Sequence, residues 1–148
     1  MGVEIRDPAA ADESAWRGLW DGYLTFYKVA IPEDVTAHTW ARILDPEARV
    51  KMRLAVIDGR MAGFAIHHHH DTTWAIDPAC YLEDLFVDAT IRGKGVGRAL
   101  IDDLVGICRR NGWSRLYWHT DRDNTRARSL YDSYAEENGT VCYKIGLG

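Results

Sequence analysis

A glycine-rich turn leads from a strand-like segment into a helix-like segment two-thirds of the way along this 148-residue chain. Residues 80–87 have the length and apolar content of a buried strand. Residues 96–111 carry apolar side chains at helical spacing, and Gly112 follows where the end of a helix favours glycine. Between the two segments lies Arg92-Gly93-Lys94-Gly95-Val96-Gly97, whose three glycines allow a ligand to approach the backbone closely.

This turn predicts a cradle for a pyrophosphate group. Unpaired N–H groups at the N-terminus of a helix point outward, and the helix dipole attracts anions. Positive side-chain charge is added at the same place by Arg92, Lys94 and Arg98. The turn therefore favours folds in which a strand, an anion-binding loop and a helix follow one another.

Two common phosphate-binding folds do not fit the turn. A P-loop requires Ser or Thr after its Gly-Lys pair, whereas Gly95 follows Gly93-Lys94 here. A dinucleotide fold has its glycine turn after the first strand of a βαβ unit and an acidic residue at the end of the next strand. In this chain an antiparallel hairpin comes first, and Asp121 has little support as the ribose partner.

The remaining sequence predicts an α/β fold of the α+β kind, with a mixed sheet flanked by helices. Asp58-Gly59, between two strand-like segments, is a hairpin signal. The expected strands are residues 3–6, 50–57, 61–69, 80–87, 116–120 and 141–145. The expected helices are one capped by Asp12 or Ser14, one between Pro32 and Pro46, residues 96–111 and residues 125–134.

Composition and charge limit the classes of function. The length fits one domain over residues 1–148, and 47% hydrophobic with 27% charged residues is ordinary for a globular protein. The net charge of −4 argues against nucleic acid as a partner. Neither a membrane-length apolar run nor a secretory signal is visible, so no membrane partner is expected. Three widely spaced cysteines match neither a disulfide framework nor a zinc motif, which favours the cytoplasm.

Three motifs, in the right order, resemble one enzyme family. Arg92-x-x-Gly95-x-Gly97 resembles the acetyl-CoA signature of the GNAT family of N-acetyltransferases. The preceding segment YLEDLFV at residues 81–87 and the downstream segment NTRARSLY at residues 124–131 are also similar to that family. Within the family, the motifs look closest to the yeast-type histone/polyamine acetyltransferases and the diamine acetyltransferases. The resemblance covers residues 80–134.

The resemblance implies a single-domain GNAT-like fold whose mixed sheet is splayed at its centre. The pantetheine of acetyl-CoA would lie in the splay, between the strands at residues 80–87 and 115–120. Backbone groups of residues 85–87 would pair with the pantetheine amides, and the N–H groups of residues 92–97 would hold the pyrophosphate. Asn124 would bind the pantetheine or cap the following helix. The implied coenzyme-binding residues are Leu85, Phe86, Val87, Arg92, Gly93, Lys94, Gly95, Val96, Gly97, Arg98 and Asn124.

Acetyl transfer to an amine requires a base, because an alkylammonium with a pKa near 10.4 is almost fully protonated at neutral pH. The resemblance implies that Glu83 removes this proton, directly or through a water; a surface ion pair is the alternative role. Tyr131 would protonate the departing thiolate, with Tyr134 as a substitute. Strand alternation predicts that Asp84 points to the face opposite Glu83, so that the two acids do not share one role.

Two further clusters bear on metal binding and on the acceptor. The run His67–His70 would alternate between the two faces of a strand, so at most two imidazoles converge. A sheet-edge or substrate-lining role is therefore favoured over a metal site. The aromatic stripe over residues 16–27 would be mostly core. The resemblance also implies that the first two helices and their connection wall the acceptor site. With Glu33, Asp34 and Asp45 nearby, the stripe would then form an acidic aromatic pocket for a cationic amine.

The leading hypothesis is an acetyl-CoA-dependent N-acetyltransferase in which a primary amine attacks the thioester directly. A small polyamine-like or amino-acid-like acceptor is favoured over a protein lysine or N-terminus. A non-catalytic acyl-CoA-binding module is the alternative outside the enzymes. The exposed sheet edge and the resemblance also allow a homodimer. The segment after Tyr131 departs from the family pattern, since its glycine comes only at Gly139, and this leaves the register of the last strand open.

Overall fold

The computed structural model describes residues 2–148, which form a five-stranded sheet and four α-helices. The strands are β1 (Glu4–Arg6), β2 (Val50–Ile57), β3 (Arg60–His70), β4 (Ala79–Val87) and β5 (Arg115–Tyr117). The helices are α1 (Glu13–Phe26), α2 (Glu33–Leu44), α3 (Val96–Asn111) and α4 (Thr125–Tyr131). Strands β1 to β4 pair antiparallel in chain order, and β5 adds parallel to β4. The mixed α/β sheet expected from the sequence is confirmed.

The β2–β3 hairpin turns at Asp58-Gly59, as the sequence predicts. Both residues have positive φ, 51° at Asp58 and 76° at Gly59, which is the backbone of a tight turn that matches the twist of paired strands. Ile57 pairs with Arg60 across this turn. The hairpin sets β3 beside β4, the strand that leads into the glycine-rich turn.

The two faces of the sheet pack on different helices. On one face, α3 covers a cluster that includes Ala55, Ala65, Leu82, Leu100 and Leu104. On the other face, α1 and α2 cover a cluster that includes Trp16, Trp20, Trp40, Leu54 and Phe64. Trp16 stacks between Trp20 and Trp40, with ring centroids 5.2 Å from each. The first half of the aromatic stripe is therefore core, as expected.

Strands β4 and β5 are paired over only three residues each. The ladder begins with Ala79 opposite Arg115 and ends with Tyr81 opposite Tyr117. Beyond this point β4 continues to Val87, so residues 82–87 have no partner on that side. The central splay is confirmed. Strand β5 is shorter than the expected 116–120, because the diverging strands leave residues 118–120 without a ladder.

The expected strand at residues 141–145 is wrong. Helix α4 ends at Tyr131 rather than at residue 134, and residues 135–148 have no regular secondary structure. Alternating apolar residues favour an extended chain, but a strand forms only when its N–H and C=O groups find a partner strand. Strand β5 is the last in the sheet, and residues 141–145 do not pair with it.

Within residues 2–148, no helix combines the length and the apolar composition that crossing a bilayer requires.

Candidate active site

The glycine-rich turn has the open shape that ligand binding requires. Gly93 and Gly95 have φ of 84° and 77°, in the left-handed region that other residues rarely adopt. A Cβ built on either glycine would meet no atom within 4 Å. The turn is anchored by Ile91, which is buried, and by Asp88, whose carboxylate accepts the Thr90 N–H at 2.9 Å. Both glycines therefore border open space.

The N–H groups of this turn are free to bind a ligand. Across residues 2–148, no protein acceptor takes a hydrogen bond from the N–H groups of residues 92–98. The next N–H, that of Ala99, donates to the Gly95 carbonyl at 3.0 Å. These free donors stand at the start of the 16-residue helix α3. A row of unsatisfied donors at a helix N-terminus is the arrangement that binds phosphate oxygens.

A cavity of about 540 Å³ opens beside the turn. Its wall is formed by β4, the turn and α4, and Phe26 and Tyr27 extend it to the end of α1. The predicted residues that line it are Leu85, Phe86, Val87, Arg92, Gly93, Gly95, Val96, Gly97, Arg98, Asn124 and Tyr131. Neither Lys94 nor Glu83 is part of the wall. In the sequence, Phe26 and Tyr27 are marked only by the aromatic stripe, which was expected to be mostly core. In the structure they are 51% and 36% exposed.

A β-bulge interrupts strand β4 next to this cavity. Ile66 on β3 pairs with Asp84, but the next residue, His67, pairs with Leu82. Glu83 is therefore the extra residue, and the alternation of side chains between the two faces breaks there. The bulge puts Glu83 and Asp84 on the same face, the one that packs on α1. The expectation that Asp84 points away from Glu83 is wrong, because alternation holds only in a regular strand.

The two carboxylates have different surroundings on that face. Glu83 is half exposed, and its carboxylate lies 3.2 Å from Nε2 of His68. Asp84 accepts a 2.6 Å hydrogen bond from the hydroxyl of Tyr23 on α1. Burial raises the pKa of Asp84 to about 6, although the bond from Tyr23 opposes the shift. Burial, reinforced by the charge of Asp84, also raises the pKa of Tyr23.

Asp84 makes the stability of the fold depend on pH. Its pKa rises from an ordinary 3.8 to about 6 on folding, so the folded chain binds more protons than the unfolded chain between these values. The contribution of Asp84 to stability therefore falls as the pH rises through this range. The variant Asp84→Asn lacks this titrating group. We expect the unfolding free energy of Asp84→Asn minus that of the parent chain to be about 2 kcal/mol larger at pH 7.5 than at about pH 4. Urea denaturation at both pH values measures this difference, and a difference that does not change with pH would contradict it.

The two tyrosines near the end of α4 have different environments. Tyr131 lines the cavity and packs edge to face on Trp118, with 5.4 Å between ring centroids. Burial raises the pKa of Tyr131 to about 12, so its hydroxyl stays protonated at neutral pH. The hydroxyl of Tyr134 donates to Asp102 on α3 at 2.6 Å, and Tyr134 does not line the cavity. Tyr131 is therefore the one of this pair that borders the cavity.

Asn124 connects the cavity to helix α4. Its side-chain oxygen accepts the N–H of Ala127 at 3.4 Å and caps the helix. The residue also lines the cavity, so both expected roles of Asn124 are compatible with its position. Since Tyr131 is the last residue of the seven-residue helix α4, this cap helps to position Tyr131.

The four histidines of β3 alternate between the two faces of the sheet, as the sequence predicts. His67 is buried on the α3 face, and His69 stacks on Trp113 of the same face. Burial lowers the pKa of His67 to about 4. His68 and His70 lie on the α1 face. In the part of the chain that the structure describes, no three His, Cys, Asp or Glu side chains are grouped as metal ligands.

A cluster of imidazoles and phenols lies on the α1 face where the β4–β5 ladder ends. This His–Tyr cluster consists of His68, His70, Tyr81, Tyr117 and His119. The two tyrosine rings stack with centroids 5.0 Å apart. His70 lies 2.7 Å from the Tyr117 hydroxyl, and His119 lies 3.2 Å from the Tyr81 hydroxyl. The sequence predicts a sheet-edge or substrate-lining role for the histidine run but does not connect it with the tyrosines or His119, because the members of the cluster come from three strands and their immediate surroundings.

The acidic residues expected around the acceptor lie elsewhere. Glu33 binds Arg17 at 2.6 Å on the exposed surface of the first two helices. Asp34 and Asp45 are also exposed, and none of the three acids lines the cavity. The expected acidic pocket is therefore not formed, because Phe26 and Tyr27 line the cavity without any of these acids.

The splayed sheet and the free N–H groups beside it form the arrangement that the resemblance to the acetyltransferases implies. The sequence matches the model of the acetyltransferase (GNAT) family over residues 16–135. The chain belongs to this family. It is 38% identical over 135 residues to the D-amino-acid N-acetyltransferase HPA3 of Saccharomyces cerevisiae, a match that covers 90% of this chain and 84% of the yeast protein. It is 29% identical to the uncharacterized N-acetyltransferase YhfO of Bacillus subtilis, over 98% of each chain.

Solved structures share the fold. The aminoglycoside acetyltransferase AAC(6')-Iy, in complex with a bisubstrate analogue, superposes with a TM-score of 0.85 over 100% of each chain at 24% identity. A ribosomal-protein-alanine N-acetyltransferase from Brucella melitensis superposes with a TM-score of 0.79 at 25% identity, over 99% of this chain and 100% of the other. The chain is therefore an N-acetyltransferase, and acetyl-CoA is its acyl donor. The family, the fold and the enzyme class expected from the motifs are confirmed.

Proposed function

We propose that this N-acetyltransferase acetylates the primary amine of a small, amino-acid-like molecule by direct attack on acetyl-CoA. The observation that carries the proposal is the row of free N–H groups at residues 92–98, beside a cavity that reaches Tyr131. The name of the 38% identical yeast relative, a D-amino-acid N-acetyltransferase, supports the choice of acceptor. One catalytic domain over residues 1–148 would carry out the reaction.

The coenzyme would bind along the turn and strand β4. The N–H groups of residues 92–97 would hold the pyrophosphate, and the basic side chains Arg92, Lys94 and Arg98 would add charge. Backbone groups of residues 85–87 would pair with the pantetheine amides, since β4 has no neighbour on that side beyond the ladder. The open space over the glycines supports this fit.

Glu83 is the proposed base. It is half exposed at the bulge, two residues beyond Tyr81, where β4 leaves its ladder with β5. His68, 3.2 Å away, could accept the proton from Glu83 and pass it to water. In the step itself, Glu83 first removes a proton from the ammonium and releases it to water, and the neutral amine nitrogen then bonds to the acetyl carbonyl carbon. The C–S bond breaks, the nitrogen gives its second excess proton to Glu83, and the thiolate takes a proton from Tyr131, which solvent restores.

Tyr131 is the proposed acid. The departing thiolate needs a proton or a hydrogen bond from a nearby donor. A phenol whose pKa is about 12 is almost fully protonated at neutral pH. Its packing on Trp118 fixes the ring beside the cavity, so Tyr131 would donate to sulfur without reorganising.

The His–Tyr cluster supports an amino-acid acceptor over a polyamine. An amino acid presents a carboxylate close to its amine, and imidazole and phenol groups can donate hydrogen bonds to carboxylate oxygens. His68 joins the cluster to Glu83 through their 3.2 Å contact. The exposed acids that a polyamine would use, Glu33, Asp34 and Asp45, do not line the cavity.

A thiol-release assay over a panel of amines tests the proposed function. The panel holds D- and L-amino acids, polyamines, peptides with a free lysine or N-terminus, and no acceptor. Thiol release that depends on amino acids is the expected result. Turnover confined to polyamines or peptides would show that the acceptor belongs to that class and is not an amino acid. Tight acetyl-CoA binding without turnover on any amine would indicate a binding module.

The pH dependence of the rate tests Glu83. We expect Glu83→Gln to lower kcat/KM by roughly 10²-fold or more at low pH, where most of the amine is protonated and needs a base. The loss should shrink as the pH approaches the pKa of the amine. The control is Asp84→Asn, the same chemical change one residue away, which should keep the parent profile. A loss at low pH in Asp84→Asn but not in Glu83→Gln would show that Asp84 is the base. If neither variant changes the pH profile, neither acid is the base.

The proposed setting is the cytoplasm, and the proposed assembly is a homodimer. Cys80, Cys108 and Cys142 are all free thiols, which fits a reducing compartment. The outer side of β5 is an open strand edge, and such edges readily pair with a second chain.

A further inference from the structure

An acid and a phenol flank one imidazole on the α1 face of the sheet. Nε2 of His68 lies 3.2 Å from the carboxylate of Glu83. The same imidazole packs edge to face on the ring of Tyr81, with 5.5 Å between centroids. Glu83 and Tyr81 are therefore neighbours on this face of β4, with His68 between them. The carboxylate can accept hydrogen bonds from a cation, and the phenol can donate one to an anion.

The hydroxyl of Tyr117 is already committed within the protein. Nδ1 of His70 lies 2.7 Å from the carbonyl oxygen of Asp71. Because a carbonyl oxygen only accepts, Nδ1 carries a hydrogen, and Nε2 of the neutral imidazole is then an acceptor. The Tyr117 hydroxyl, 2.7 Å from Nε2, therefore donates to His70. Its hydrogen is used inside the His–Tyr cluster.

The hydroxyl of Tyr81 has a different situation. Among residues 2–148 its hydrogen-bond partner is Nδ1 of His119, at 3.2 Å, and His119 has no second partner. If Nδ1 of His119 carries the hydrogen, it donates to Tyr81, and the Tyr81 O–H is free. If Nε2 carries the hydrogen, Tyr81 donates to Nδ1, and the Nε2–H of His119 is free. In both tautomers the pair keeps one donor for a ligand.

Packing holds this donor pair in place. The rings of Tyr81 and Tyr117 stack with centroids 5.0 Å apart, and His119 meets Tyr81 edge to face at 5.4 Å. The guanidinium of Arg115 lies 5.3 Å from the centroid of the Tyr117 ring. Burial, reinforced by the charge of Glu83, raises the pKa of Tyr81, so its hydroxyl keeps its hydrogen at neutral pH. A donor that is already oriented binds a ligand at a smaller entropic cost.

We infer that the Tyr81–His119 pair binds the α-carboxylate of an amino-acid acceptor, so that efficient acetylation requires a free carboxylate. The inference rests on the proposed function. One carbon joins the amine of an amino acid to its carboxylate, so an acceptor whose amine lies at Glu83 brings its carboxylate to the neighbouring donor pair. The amine then meets an acid, and the carboxylate meets a donor. Amides, esters and polyamines lack the anion that this donor binds.

Pairs of acceptors that differ only in the carboxylate test this assignment. The pairs are D- and L-alanine and D- and L-phenylalanine, each with its carboxamide. For the pairs that are acetylated, we expect the parent chain to have a higher kcat/KM for the acid. Tyr81→Phe and His119→Ala should each lower the acid-to-amide ratio by roughly 10- to 100-fold, as loss of a hydrogen bond to a charged group does. The lower basicity of the amide's amine cancels when each variant is compared with the parent.

Tyr117→Phe is the matched control. It also removes a hydroxyl from one ring of the stacked pair, but this hydroxyl donates to His70, so the acid-to-amide ratio should stay within a few-fold of the parent value. A loss in only one of Tyr81→Phe and His119→Ala would support the assignment and identify the tautomer. An equal loss in Tyr117→Phe, or a parent-like ratio in both other variants, would overturn it.

Binding measured without turnover separates this inference from the proposed function. Calorimetric titration of the same pairs into the enzyme loaded with CoA, which has no acetyl group to transfer, gives the affinity for acid and amide. We expect the parent to bind the acid more tightly and Tyr81→Phe to lose this difference. Equal rates and equal affinities for acid and amide would overturn the carboxylate site and leave an amino-acid-like acceptor in place. Turnover confined to polyamines or peptides, without binding of the amino acids, would overturn the proposed acceptor and this inference with it.

Discussion

Replacement of Gly95 by glutamate is expected to abolish the binding of acetyl-CoA. Gly95 borders the free N–H groups at the start of α3, and a Cβ at this position would project into open space. The longer side chain would fill the place proposed for the pyrophosphate. Its carboxylate would also oppose the negative charge of the phosphates in a site whose dipole and N–H groups select anions. Isothermal titration calorimetry with acetyl-CoA measures the effect, and we expect no measurable binding heat.

The chain offers a matched control for this variant. Gly59, in the β2–β3 hairpin, has φ of 76° against 77° for Gly95, and a Cβ there also meets no atom within 4 Å. Gly59→Glu therefore carries the same left-handed strain, of about 1–2 kcal/mol, and the same change of charge. We expect it to bind acetyl-CoA like the parent chain. If Gly95→Glu binds acetyl-CoA with the affinity of the parent chain, the turn does not bind the coenzyme. A loss of affinity in both variants would point to destabilisation of the fold.

Tyr131→Phe is expected to lower kcat by roughly 10²–10⁴-fold, which is the usual contribution of a positioned proton donor. The substitution keeps the ring that packs on Trp118 and removes only the hydroxyl. The coenzyme should therefore still bind, because the proposed pyrophosphate cradle at residues 92–97 is a separate part of the cavity wall. Steady-state kinetics at saturating acetyl-CoA, with calorimetry of coenzyme binding, separates the loss of chemistry from the loss of affinity.

Tyr134→Phe is the matched control for that experiment. It removes the hydroxyl of Tyr134, three residues after Tyr131. This hydroxyl donates a hydrogen bond to Asp102, and Tyr134 does not line the cavity. We expect its kcat to stay within a few-fold of the parent value. If Tyr134→Phe loses as much as Tyr131→Phe, the effect belongs to the packing of α4 on α3. If neither variant loses turnover, another group protonates the thiolate.

The coenzyme side of the site was accessible from the sequence because it is local. Strand, turn and helix follow one another over residues 80–111, and the positive φ of Gly93 and Gly95 is a property that glycine itself allows. The N–H groups at the start of α3 are free in any helix that begins there. The residues proposed to bind the coenzyme phosphates are therefore neighbours in sequence, and their spacing carries the information.

The acceptor side was not accessible in the same way. The expected acidic pocket relied on Glu33, Asp34 and Asp45, which the tertiary structure leaves on the surface of α2 and its flanking turns. The residues found near Glu83 are instead the His–Tyr cluster and the Asp84–Tyr23 pair. Their members are contributed by α1, β3, β4 and β5 and its continuation, and no spacing along one element relates them.

The sequence by itself determined the order of the elements, the hairpin at Asp58-Gly59 and the anion-binding turn, because each depends on the preferences of adjacent residues. Only the tertiary structure decided which face Asp84 occupies, since the bulge at Glu83 arises from the register between two strands. The same holds for residues 141–147. Alternation of apolar residues makes residues 141–147 suited to a strand, but the strand depends on an edge to pair with, and that edge is formed by residues remote in the chain.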